Sequence, residues 1–131
     1  MSLSFQTGFS INRVIWITSV KPDEEAFVKD MLDEQVSLAK IHRQETAVQK
    51  VSTVQEFYDC LEVIREQVDK KLKPLINFVI HGNASEGLFI TGENAFAPWS
   101  EVFVEIRSIN IALRKHLCVL SHSDINLHTI K

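Results

Sequence analysis

Three short apolar runs limit what this chain can fold into more than any other feature: Val14-Ile15-Trp16-Ile17-Thr18, Leu75-Ile76-Asn77-Phe78-Val79-Ile80 and Leu117-Cys118-Val119-Leu120. They are rich in β-branched and aromatic residues and do not alternate apolar with polar, as a strand with one wet face would. Such runs suit strands covered on both faces, as in a parallel sheet. Between them the period changes to that of a helix. After Pro22, with Asp23, Glu24 and Glu25 in a first turn where the dipole favours anions, come Phe27, Val28, Met31, Leu32, Gln35, Val36 and Ala39 at helical spacing.

Thr53 with Glu56 three residues on is a capping box, and Val54, Phe57, Leu61, Ile64, Val68 and Leu72 step by three and four behind it. A third helix opens at Pro98, with Trp99, Val102, Phe103, Ile106, Ile109 and Leu113 on its apolar side. Residues 41–51 are more polar; Thr46, Val48 and Val51 suit at most an edge strand. Gly87, Gly92 and Asn94 around Leu88-Phe89-Ile90 predict a short hairpin. Alternation of this kind implies an α/β fold: a three-layer sandwich with a short, mostly parallel sheet and helices on both faces. Flavodoxin-like modules are the competing architecture. Receivers are disfavoured because Thr18-Ser19-Val20 stands where they place acidic residues.

One domain is expected from 131 residues, 45% of them hydrophobic and 24% charged. The net charge of −3 and pI near 5.9 argue against a nucleic-acid partner, which a basic surplus would favour. Lys70-Lys71-Leu72-Lys73 reads as a solvated helix end. Cys60 and Cys118 are too few for a disulfide framework and read as buried thiols. No apolar run reaches membrane-spanning length, and the N-terminus does not resemble a signal peptide, so a cytoplasmic protein with no membrane association is expected. The histidines lack metal-ligand spacing, and neither a P-loop nor G-x-G-x-x-G occurs, so no metal and no cofactor is expected.

In open α/β sheets chemistry gathers beyond the carboxyl ends of the strands. Those ends carry Thr18-Ser19, His81-Gly82-Asn83 and Ser121-His122-Ser123-Asp124. A histidine at one strand end and a hydroxyl at another are what a nucleophile–base dyad needs, with a backbone N–H for an oxyanion.

Asn77-Phe78-Val79-Ile80-His81-Gly82 followed by Glu86-Gly87-Leu88-Phe89-Ile90 resembles the caspase-like cysteine peptidases and their CHAT relatives. Pro98-Trp99-Ser100-Glu101 and its helix, then Leu117-Cys118-Val119-Leu120-Ser121-His122-Ser123, are similar to the elements that follow in that family. The resemblance covers roughly residues 12 to 126. It implies His81 as the catalytic histidine, Gly82 as an oxyanion-hole donor and Ser123 at the position of the nucleophilic cysteine. Cys118, inside its strand, does not replace that thiol, and His122 reads as a loop residue. A serine in a site built for a thiolate needs a stronger base. Asp124 and Glu86 are the nearby carboxylates in sequence, and neither stands where the family uses one.

The family's domain also continues into further strands, so the resemblance implies a fragment or a minimal version. The expectation is therefore a catalytically impaired domain acting as a protein-interaction or regulatory module, binding a protein partner or associating with itself through an uncovered sheet edge. The alternative is a hydrolase of peptide or acyl bonds using Ser123 and His81.

Overall fold

The computed structural model describes residues 3–4, 10–113, 118–122 and 127–130, with side chains over residues 11–113. In chain order these form β1 (Leu3–Ser4), β2 (Ser10–Ile11), β3 (Arg13–Ser19), α1 (Glu25–Ile41) and β4 (Glu45–Lys50). Then come α2 (Val54–Val68), β5 (Pro74–Ile80), β6 (Gly82–Asn83), β7 (Gly87–Ile90), β8 (Ala95–Ala97), α3 (Trp99–Leu113), β9 (Cys118–His122) and β10 (Leu127–Ile130). The main sheet runs β10-β9-β5-β3-β4. Its β9, β5, β3 and β4 are parallel, and β10 lies antiparallel to β9.

The sheet is mostly parallel, and the continuous apolar runs follow from its two coverings. On β3 and β5, Val14, Trp16 and Val79 pack with Leu32, Val28 and Ala39 of α1 on one face. The intervening Ile15, Ile17, Ile76, Phe78 and Ile80 pack on the other face against α2 and α3. Three layers result. Phe57 of α2 meets Phe78 edge-on, ring centroids 5.5 Å apart, and both are fully buried. Each such side chain stabilises the fold by roughly 1.5–3 kcal/mol through removal of apolar surface from water. Trp16 keeps its indole N–H satisfied in this core by donating to Gln35 Oε1 at 2.7 Å.

Half of the capping box at α2 is formed: Glu56 N–H donates to Thr53 Oγ1 at 3.0 Å, while the Glu56 carboxylate reaches one residue past the cap and accepts from Ser52 N–H at 3.2 Å. Phe57, Leu61, Ile64 and Val68 are its buried stripe. The edge strand suggested for residues 41–51 is β4, parallel to β3, with buried Val51 just beyond it. The Lys70-Lys71-Leu72-Lys73 run leaves α2 through a turn in which Lys71 takes φ 76° and Leu72 plugs into the core.

Two residues assigned to apolar stripes lie outside them. Phe27 is 73% exposed and Phe103 48%. The buried face of α1 is centred on Leu32, and Phe27 falls on its flank; Phe103 instead stacks on Trp99, centroids 5.6 Å apart. Strand β10 comes from a stretch where the sequence shows no period.

Candidate functional site

Strand order decides where the loops of a parallel sheet part. The chain passes from β3 to β4 on one side, then returns across β3 to β5 on the other. The crevice at such a switch point lies outside the carboxyl ends of the two adjacent strands, here β3 and β5, whose Ser19 and Ile80 are paired. Two side chains meet there. His81 follows β5, and Glu24 closes the short 3-10 turn (Pro22–Glu24) that leads from β3 into α1.

His81 Nε2 lies 2.5 Å from Glu24 Oε1, with the imidazole 16% exposed and the carboxylate 35%. Lys21 N–H donates to the same oxygen at 3.2 Å. The hydrogen bond from His81 holds the Glu24 carboxyl below the usual carboxylate range, outweighing the opposing effect of burial, with a lesser contribution from the Lys21 N–H. An ionised carboxylate can only accept, which assigns the shared proton to His81 Nε2.

A three-stranded antiparallel sheet, β6-β7-β8, braces the histidine from behind. Phe89 N–H donates to the His81 carbonyl at 2.7 Å. That makes His81 and Phe89 a hydrogen-bonded pair of the ladder. The next pair, Gly82 and Leu88, is then of the non-bonded kind, and the Gly82 N–H faces away from β7. Gly82 also has a packing reason to be glycine, since a Cβ there would stand 2.8 Å from the Gly87 carbonyl oxygen. Gly87 itself takes φ 132°, and a Cβ on it would lie 2.0 Å from the carbonyl oxygen of Ala97. Trp99 Nε1–H donates to the Asn83 carbonyl at 2.6 Å and ties the hairpin to α3, while Thr91 N–H donates to Ser19 Oγ at 2.9 Å and ties it to β3.

Of the residues named from sequence, His81 and Gly82 sit together at this crevice. Ser123 and Asp124 lie outside the described residues. β9 ends at the same edge: its last residue, His122, pairs with Val79, two positions before His81. Glu86 is turned to the hairpin, accepting from Asn83 Nδ2 at 3.1 Å. The carboxylate on His81 is Glu24, which sequence reasoning placed among helix-dipole residues. The available signal was topological, because the loop after the first strand opens at the same edge as the end of β5.

Comparison with protein-family models, with curated proteins and with solved structures finds no match. The site is therefore read from its own chemistry. Among the described residues no group of three or more His, Cys, Asp or Glu could hold a metal ion, and no helix is long and apolar enough to cross a membrane. Cys60 is no substitute nucleophile: burial pushes its thiol up to about 11, so it stays protonated near neutrality. The Tyr58 hydroxyl is raised too, first by burial and then by its bond to Glu101 at 3.0 Å.

Proposed function

We propose that this chain is a caspase-like domain whose carboxyl-edge crevice hydrolyses peptide or other acyl bonds, with Ser123 in place of the family's thiol. The observation that carries the reading is the 2.5 Å contact between Glu24 and His81. A hydroxyl is a weaker nucleophile than a thiolate and needs a base whose developing charge is stabilised. A half-exposed carboxylate on the far nitrogen of the imidazole supplies that. Ser123 Oγ attacks the acyl carbon while His81 Nδ1 takes its proton; the Gly82 N–H donates to the oxyanion. The same proton then goes to the leaving group, and water releases the acyl-enzyme by the reverse relay. Glu24 stays ionised throughout and holds the ring.

A biotinylated fluorophosphonate, which reports serine nucleophiles, tests this. Mass spectrometry should find the adduct on Ser123. His81→Ala should slow labelling about 10²-fold or more, the usual contribution of a general base. Folded protein that gives no Ser123 adduct, or a rate indifferent to His81→Ala, overturns the reading.

A second reading, a catalytically impaired interaction module, is favoured by a different observation: β4 ends the sheet with no neighbour among the described strands. An open edge of six residues invites another strand.

A further inference from the structure

The pairing of β4 fixes which of its backbone groups are spent. Glu45 N–H donates to the Asn12 carbonyl at 3.3 Å and Val51 N–H to the Thr18 carbonyl at 2.9 Å. Backbone groups alternate along a strand, so Glu45, Ala47 and Gln49 turn theirs toward β3, while Thr46, Val48 and Lys50 turn theirs outward. Beside that outward row, on the α2 side, runs a groove of about 390 Å³. Ile15, Ala47 and Ile64 line its apolar part, with Cys60 and the half-exposed Val63 of α2 along the side.

The two ends of the groove differ in charge. Where β4 begins, Arg13 is engaged by Glu45 at 2.8 Å and by Gln67 at 3.1 Å. Near the end of β4 stand Glu56 and Asp59, neither of which makes an ion pair among the described residues. The volume falls within the roughly 300–1,000 Å³ of ordinary ligand sites.

We propose that β4 and this groove bind an extended peptide by strand addition, the peptide carrying an aliphatic residue and, two residues from it, a Lys or Arg. The added strand would satisfy the outward N–H and C=O groups of Thr46, Val48 and Lys50. Alternate side chains of a strand share a face about 6.6 Å apart. An aliphatic one then covers Ala47 and Val63, and the next on that face brings its cation to Asp59. A second copy of the chain fits less well. From its own copy of this edge it would bring Arg13 and Lys50, which are already engaged by Glu45 and Glu25. The inference uses β4, α2 and the first residues of β3 and neither His81 nor Ser123, so it stands or falls apart from the reaction at the carboxyl edge; it would give the interaction module its partner.

The probe is a fluorescein-labelled, capped peptide, Thr-Val-Thr-Leu-Thr-Lys-Thr, with a version carrying Glu for Lys, both read by fluorescence anisotropy on the full chain. The Lys peptide should bind saturably and the Glu version about tenfold more weakly, given the carboxylates at that end. Val48→Pro removes one outward N–H and no bond to β3; it should weaken binding about tenfold, the worth of a strand hydrogen bond, with the unfolding midpoint kept. Asp59→Lys should reverse the preference between the two peptides, and it carries the test should Val48→Pro fail to fold. Absence of saturable binding, or binding that neither variant alters, overturns the proposal. So does a dimer in sedimentation equilibrium that Val48→Pro dissociates, since that assigns the edge to a second copy.

Discussion

Replacing Gly87 by alanine should destabilise the hairpin behind His81, because a Cβ there has no room. The backbone there has φ 132°, a region that costs a residue with a Cβ about 1–3 kcal/mol. The new methyl would also begin 2.0 Å from the Ala97 carbonyl oxygen and 2.9 Å from its carbon. Those are backbone atoms of a buried residue, so no side chain can swing aside. Relief has to come from parting β7 and β8, and parting them uncovers Leu88, which is fully buried. Exposure of that leucine loses about a further 1.5–3 kcal/mol. The sum is about 2.5–6 kcal/mol, or about 10–20 °C in Tm for a domain of this length.

Urea unfolding followed by circular dichroism measures the loss directly. Proton exchange at the Phe89 amide, whose bond to the His81 carbonyl lies in the same hairpin, reports whether the damage is local. A Gly87→Ala protein within 1 kcal/mol of the parent, with Phe89 still protected, would refute the steric argument. Gly82→Ala meets an oxygen at 2.8 Å without a positive φ, and should cost less.

Phe57→Ala, which empties a fully buried site against Phe78, should lower stability by about 3–5 kcal/mol in urea titrations. The Glu24 carboxyl titrates lower in the folded chain than its usual 4.5, so its stabilising effect is complete above that value and fades as pH falls through the folded pKa; acid titration of the unfolding midpoint should be flatter in Glu24→Gln than in the parent. Cys60, protonated up to about 11, should resist iodoacetamide in the folded chain near neutral pH and react once urea unfolds it, as peptide mapping at that position would show.

The parts of the fold that sequence made legible are those where one physical demand acts alone. A central parallel strand is apolar on both faces, so β3 and β5 read plainly as continuous runs. Thr53 marked where α2 begins and the stripe from Val54 to Val68 its buried face, whereas Leu72, read as part of that stripe, lies past the helix end in a turn. Strand β4 was faint because only one of its edges is paired and its side chains are half-exposed or exposed, which leaves its period weak. Strand β10 was not legible at all. Phe27 and Phe103 show the limit of periodicity: a large apolar residue one step off the stripe reads as part of it. At the site, His81 and Gly82 were visible because they end a strand. Glu24 was not, because its link to His81 crosses 57 positions and depends on which strands are neighbours.

The chain's two tryptophans fall in different layers of the sandwich. Trp16 is buried on the α1 side and held by Gln35, whereas Trp99 heads α3 on the opposite side, stacked on Phe103 and bonded to the Asn83 carbonyl. The molecule thus carries an intrinsic fluorophore for each of its coverings. Emission from Trp16 follows the seating of α1 on the sheet, and emission from Trp99 follows the junction of hairpin and helix that braces His81. With either indole replaced by phenylalanine, the remaining one separates loosening of the carboxyl edge from melting of the whole domain, without any added label.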